Sequence, residues 1–264
     1  MMSQNGNYSF APIGYIQSCF KEKFGVARQS MMISQAQGVL KLNPDPAYRD
    51  SLNHLTEFSH LWIIFVFHKN IEKGWKPLIN PPRLEAPRQV GVFASRAPHR
   101  PNPIGMSVVK IEAIDFLAPG GIELHLSGLD ILDGTPVLDI KPYLSFADSF
   151  ADATQGWASQ GIKKYWVEFS PESAKSIQAS GTRYHPDLQA LLQQMLELDP
   201  RPTSQRKRSS IEADESEGLV FAFRIFDFDV KWKIHNKGIF VLELENLVGA
   251  APTALQQYQA SPVD

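Results

Sequence analysis

The residues with the most chemistry to offer lie between Gly91 and Ser107, in the run Arg96-Ala97-Pro98-His99-Arg100-Pro101-Asn102-Pro103-Ile104-Gly105-Met106. Three prolines fix φ here, so two guanidinium groups and an imidazole stand on a stiff frame and lose little entropy when they engage a partner. Planar guanidinium forks suit a carboxylate or another small anion, and Gly105 permits close approach. Two readings stay open from the residue types alone. The loop is a seat for a small anionic or carboxylate-bearing ligand, or it is a rigid scaffold tied to its own sheet by arginine–carbonyl hydrogen bonds. From His68 to Arg100 the basic residues Lys69, Lys73, Lys76, Arg83, Arg88, Arg96 and Arg100 meet only Glu72 and Glu85, inside a chain of net charge −2. Such asymmetry points to an anionic partner.

Other chemistries are excluded by what is missing. No Gly-x-Gly occurs, and there is no P-loop, no Gly-x-Ser-x-Gly elbow and no His-Glu-x-x-His. The seven histidines are scattered, and Cys19 is the one cysteine, so neither a metal site nor a disulfide is expected. A single cysteine fits a reducing compartment. The longest apolar run, Leu61 to Phe67, is far short of the roughly 20 residues that span a bilayer. The first residues carry no secretory pattern. A cytoplasmic protein is expected.

The elements that must position the proline loop read as mostly strand. With 264 residues the chain has room for one large or two smaller domains. Pro12 to Ile16 and Gly38 to Leu42 are short strands, and Pro46 opens a helical stripe through Tyr48, Leu52 and Leu55 to about Phe58. Leu61 to Phe67 has the look of a strand buried on both faces. Alternation at 108–114 and 122–127 about Gly120-Gly121 predicts a hairpin, and Val137 to Tyr143 another strand. At least six strands with one helix argue for an antiparallel barrel or sandwich, not a doubly wound sheet. The stretch 144–162 reads as a linker or covering loop. A second, smaller α+β unit starts near Tyr165, with helices opening at Ser170-Pro171-Glu172 and His185-Pro186 and strands from Leu219 to Glu245. Within it the basic block Arg201 to Arg208, followed by Glu212, Asp214, Glu215 and Glu217, predicts a mobile loop.

The Arg-Pro-Asn-Pro-Ile-Gly core resembles the signature of the TrmO, or TsaA-like, family of S-adenosylmethionine-dependent tRNA methyltransferases. Three further segments occur in that family's order. They are Lys23 to Gln29, Phe58-Ser59-His60-Leu61-Trp62 running to Phe67-His68, and Leu132-Asp133-Gly134-Thr135-Pro136 followed by Asp139-Ile140-Lys141-Pro142-Tyr143. The resemblance runs on through Asp199-Pro200-Arg201-Pro202 and covers roughly residues 10 to 245. It implies a mainly β fold, with a non-Rossmann antiparallel β-barrel over residues 1–160 and a C-terminal α+β domain over 161–264. It also implies N6-methylation of threonylcarbamoyladenosine at position 37 of tRNA by a homodimer, with no metal and no membrane. Carried over by motif, the cofactor contacts are Ala27, Arg28, Gln29, His68, Lys69, Arg96, Met106, Leu132, Asp133, Gly134 and Thr135. Arg100, Asn102 and Arg201 are expected to meet the substrate. Ala27 stands where the family often has proline, and Thr203 and Ser204 where a tyrosine often follows Asp-Pro-Arg-Pro.

The N6 of a carbamoylated adenosine is urea-like and nucleophilic only once its proton leaves, so a base is chemically sensible. Asp199 and His99 are the candidates, and the sequence does not choose between them; Asp130 and Asp133 read as turn or cofactor groups. Two rivals remain: a non-catalytic RNA-binding barrel, and a methyltransferase acting on a small molecule.

Overall fold

A computed structural model describes residues 8–23, 25–81, 89–159, 161–180, 185–213 and 218–247. Six strands build the first unit: β1 Gly14–Ser18, β2 Gln37–Leu42, β3 His60–Val66, β4 Ile104–Asp115, β5 Glu123–Ser127 and β6 Pro136–Pro142. They form a closed barrel in the order β1-β2-β5-β4-β3-β6, every neighbour antiparallel, with β6 returning to β1 at Gly14 and Tyr15. Closure removes the sheet edges. Ile16, Leu40, Leu61, Ile63, Val109, Leu124 and Val137 are buried inside, and alternate residues point outward as the pleat requires.

That pleat corrects one expectation. The apolar run in β3 alternates, with Leu61, Ile63 and Phe65 buried and Trp62, Ile64 and Val66 half-buried. A barrel strand has one inner face, so a continuous apolar run does not mean two covered faces. The hairpin between β4 and β5 forms at its expected glycines. Gly121 has φ +138°, and a Cβ there would lie 2.8 Å from the Leu42 carbonyl oxygen, so only glycine fits. The stripe at 46–58 is not one helix. A helical turn ends at Ser51, His54 takes a left-handed φ of 65°, and a 3-10 turn follows over Leu55–Glu57.

The second unit is a sheet of β7 Val167–Phe169, β8 Val220–Ile225, β9 Phe228–His235 and β10 Gly238–Asn246, in the order β8-β9-β10-β7. β7 runs parallel to β10 and the other pairs are antiparallel. Helices α1 Pro171–Ser180 and α2 Leu188–Glu197 accompany it. Ser170 Oγ accepts from the Ser173 N–H at 3.0 Å and caps α1, as its hydroxyl suggested. α2 starts later than His185-Pro186 implied, with Asp187 accepting from the Ala190 N–H at 2.9 Å. Its apolar stripe, Leu188, Leu191, Leu192, Met195 and Leu196, is fully buried.

The basic block is not a loop. Thr203–Arg208 forms a short helix, α3, and Arg201 and Arg206 are buried; residues 214–217 lie outside the described residues. Arginine can be buried where a carboxylate or carbonyls receive its fork, and here Asp199 does so. The second core also takes in Cys19, Phe20, Ala27, Ile33 and Ala36, from the connection between β1 and β2. This barrel segment is held by the C-terminal unit, and His185 Nε2 donates to the Gln35 carbonyl at 2.8 Å while its Nδ1 accepts from the Asp187 N–H at 3.0 Å. Burial pushes the Cys19 thiol up to about 12, so it stays protonated. Among the described residues no helix is long and apolar enough to cross a membrane, and no cluster of His, Cys, Asp and Glu is placed to hold a metal.

Candidate functional site

Four segments that are remote in sequence meet around one cavity of about 430 Å³. The β1–β2 connection contributes Ala27, Arg28 and Gln29, and the turn after β3 contributes His68 and Lys69. Arg96, Arg100 and Met106 come from the proline loop and the start of β4, and Leu132 and Thr135 from the turn before β6. The volume and its mostly apolar wall with a few convergent polar groups are those of a small-molecule site.

The two readings of the proline loop divide between its arginines. Arg100 Nη1 donates to the carbonyls of Val92 at 3.1 Å and Ser95 at 2.8 Å, and its guanidinium lies 5.6 Å over the Phe93 ring. It clamps the loop while lining the cavity. Arg96 reaches across to Gln29 Oε1 at 2.7 Å and latches the loop to the β1–β2 connection. The covering stretch adds a third tie, Trp157 Nε1 donating to the Ala94 carbonyl at 2.9 Å. Arg28 in turn donates to the Asp199 carbonyl at 2.9 Å, joining the cavity wall to the C-terminal unit.

Other expected residues stand apart from the cavity lining. Asp133 Oδ1 accepts from the Ser18 N–H at 2.9 Å and its Oδ2 pairs with Lys21 at 2.9 Å. Gly134 takes φ +72° and donates its N–H to the Ile16 carbonyl at 2.8 Å. These two shape the turn that presents Leu132 and Thr135. Asn102 is exposed at the outer end of the loop. His99 lies behind Asn70, with Nε2 3.4 Å from the Asn70 amide nitrogen. Asp199 and Arg201 form a buried bidentate pair, Nε to Oδ1 at 2.8 Å and Nη2 to Oδ2 at 2.7 Å. Both carboxylate oxygens of Asp199 are therefore engaged, and the Arg201 fork is closed to another anion within this chain.

Asp130 is the residue that sequence reasoning undervalued. It lies in the cavity, where Ser107 Oγ donates to its Oδ1 at 2.6 Å. Burial pushes its carboxyl up to about 6, against the Ser107 hydrogen bond and the Arg96 charge. His68 is lowered by burial and by Lys69. A signal was present, since Asp130 sits between Leu129 and Ile131, both almost fully buried, and an acid between two core residues has little room to reach open solvent.

The profile of the tRNA-methyltransferase O N-terminal domain matches residues 15–149, and that of the TrmO C-terminal domain matches residues 163–247. The chain belongs to the TrmO family. The Escherichia coli (strain K12) member, a tRNA (adenine(37)-N6)-methyltransferase, is 40% identical over 240 residues, which is 90% of this chain and 98% of that one. RcsF of Pseudomonas aeruginosa, whose name places it among S-adenosylmethionine-dependent methyltransferases, is 41% identical over 85% of this chain and 92% of its own. The crystal structure of TrmO from Pseudomonas aeruginosa superposes with a TM-score of 0.72 at 37% identity, covering 91% of this chain and all of that one (100%).

The TrmO signature glycine has a steric reason. A Cβ at Gly105 would drive into the Phe65 and Phe67 rings, which line the cavity. Gly105→Ala is expected to cost about 1–3 kcal/mol through overpacking and to weaken S-adenosylmethionine binding. Thermal unfolding and calorimetry check this, and unchanged values in both would mean that the rings yield freely.

Proposed function

We propose that the chain is an S-adenosylmethionine-dependent tRNA (adenine(37)-N6)-methyltransferase, acting on the threonylcarbamoylated adenosine. The observation that carries this is the convergence of the Arg-Pro-Asn-Pro-Ile-Gly arm, the Ala27–Gln29 segment, His68 and the Leu132–Thr135 turn on one cavity. The division into a barrel domain and a C-terminal domain near residue 160 belongs to the same reading, as do a cytoplasmic location and a homodimer. The exposed apolar side chain of Phe93, beside the cavity wall formed by Ile104 and Met106, supports the dimer.

The cavity's chemistry fits the cofactor. Its apolar wall of Phe65, Met106 and Leu132 suits an adenine or thioether, and Arg28, Gln29, His68, Lys69 and Arg96 supply polar partners for the rest. Bound there, S-adenosylmethionine supplies a methyl group already activated by its sulfonium. The chain's own work is to hold the acceptor nitrogen in line, exclude water and remove a proton; orientation alone contributes about 7–11 kcal/mol in good cases. Asp130 is the carboxylate of the cavity lining and takes the N6 proton in this reading. Ser107 holds it, and its raised pKa keeps it basic enough to accept a proton near neutrality. Asp199 serves instead to fix Arg201 and, through its carbonyl, Arg28.

The adenosine lies in a single-stranded loop, so turning it into a pocket sacrifices little pairing. Incubating the purified chain with S-adenosylmethionine and a threonylcarbamoylated anticodon stem-loop, followed by nucleoside mass spectrometry, tests the assignment. Absence of the methylated nucleoside sinks it. The exposed cations Lys69, Lys76 and Arg96 are expected to engage phosphates. Log affinity for the RNA should fall with log salt at about −0.7 per single-strand phosphate contact; a flat response from about 50 to 200 mM removes the phosphate contacts from the account.

A further inference from the structure

Lysines crowd one end of the cavity with no carboxylate in ion-pair reach among the described residues. Lys23 arrives from the β1–β2 connection and Lys69 and Lys73 from the turn after β3, with His99 of the proline loop beside them. Asn70 links Lys23 to His99. Its Oδ1 accepts from Lys23 Nζ at 3.4 Å, and its amide nitrogen lies 3.4 Å from His99 Nε2. Among the described residues, none of Lys23, Lys69 and Lys73 has a carboxylate within ion-pair distance. The crowding has an electrostatic consequence. Burial and the charges of Lys73 and Lys69 push the Lys23 ammonium down to about 8, with Lys73 in hydrogen-bonding reach of it. Burial and the neighbouring lysines Lys76, Lys23 and Lys73 lower His99 as well. Like charges brought together from two segments oppose folding, and a bound anion relieves that repulsion.

The location narrows which anion. Lys23, Lys69 and Asn70 line the same cavity as Asp130 and Met106, so the anion enters with whatever fills the cavity. A nucleotide turned out of a loop leaves its phosphates at the mouth and carries inward only what its base bears. On a threonylcarbamoyl adenosine, that substituent ends in a carboxylate. Arg201, the arginine expected for this task, is closed by Asp199. We propose that Lys23, held by Asn70, and its neighbour Lys73 form the subsite for the threonyl carboxylate and thereby select the modified adenosine. This rests on the methyltransferase reading above.

The test uses the full chain and two anticodon stem-loops, one with the free threonyl carboxylate and one with that carboxylate converted to its methyl amide. Wild-type turnover of the first RNA tests the parent reading by itself. For the wild type, the amide should raise KM about 10- to 100-fold, the worth of a charge-assisted hydrogen bond. In Lys23→Gln/Lys73→Gln the two RNAs should become nearly equal, through loss of affinity for the carboxylate form, with S-adenosylmethionine affinity unchanged. Lys23→Arg should keep the discrimination, which separates the charge from a folding effect. Three results overturn the proposal. Equal weakening of both RNAs marks a phosphate contact, loss of S-adenosylmethionine affinity marks the cofactor's own carboxylate, and persistent discrimination places the subsite elsewhere.

Discussion

Asp130→Asn is expected to lower methyl transfer by about 10²- to 10⁴-fold, the usual worth of a positioned base, with S-adenosylmethionine affinity little changed. Asparagine keeps an oxygen for the Ser107 hydroxyl but has no basic carboxylate. The wild-type rate should rise with pH through about 6 and level off above it, because the acting form is the ionised one; the variant should lose that limb. Stability moves in the opposite sense. The folded pKa of about 6 lies above the ordinary 3.8, so the native state holds this proton more tightly than the unfolded chain. The stability this confers is complete below about pH 3.8 and is lost as pH rises through about 6. Removing the buried charge should therefore stabilise the protein at pH 8 by up to about 3 kcal/mol, with no gain near pH 3. A slow enzyme that is more stable at pH 8 identifies a group placed for chemistry. A slow enzyme that is less stable, or one that no longer binds the cofactor, assigns Asp130 a different role.

Arg201→Ala should destabilise the C-terminal unit by about 3–5 kcal/mol, since it strands a buried carboxylate. The side chains of Arg201 and Asp199 are 2% and 5% exposed. The guanidinium also donates to the Ser209 carbonyl at 2.9 Å and lies 4.9 Å over the Phe221 ring and 5.8 Å over that of Trp232. Paired replacement of Asp199 and Arg201 should cost less than the sum of the single changes, because neither partner is left alone. Urea unfolding of the three variants measures this. If Arg201→Ala keeps its stability and loses only RNA affinity, the arginine is a substrate fork after all. The softened unit should also loosen Arg28, whose guanidinium leans on the Asp199 carbonyl.

The elements of this protein were legible wherever their cause is local. Alternation marked β4 and β5 and short strand-like runs marked β1, β2 and β6, each to within a few residues, the Gly120-Gly121 pair marked the hairpin, and Ser170 marked the cap of α1. The motifs likewise named most of the cavity wall, from Ala27 to Thr135. Local cues failed where burial is decided by distant partners. Charge alone made 201–208 look solvated, yet Asp199, Ser209 and two aromatic rings hold Arg201 in a core. Asp130 read as a turn or cofactor group and not as a base, because its meaning comes from Ser107, 23 positions away and brought near by barrel closure. The chain's alternation, prolines, glycines and signature segments by themselves determined a mainly β molecule with a stiff, arginine-bearing arm. Only the tertiary structure decided which acid faces the cavity, which arginine is spent on the core and which lysines have no carboxylate in ion-pair reach among the described residues. Short-range sterics act between neighbours, whereas desolvation and charge pairing depend on what the rest of the chain packs against each group.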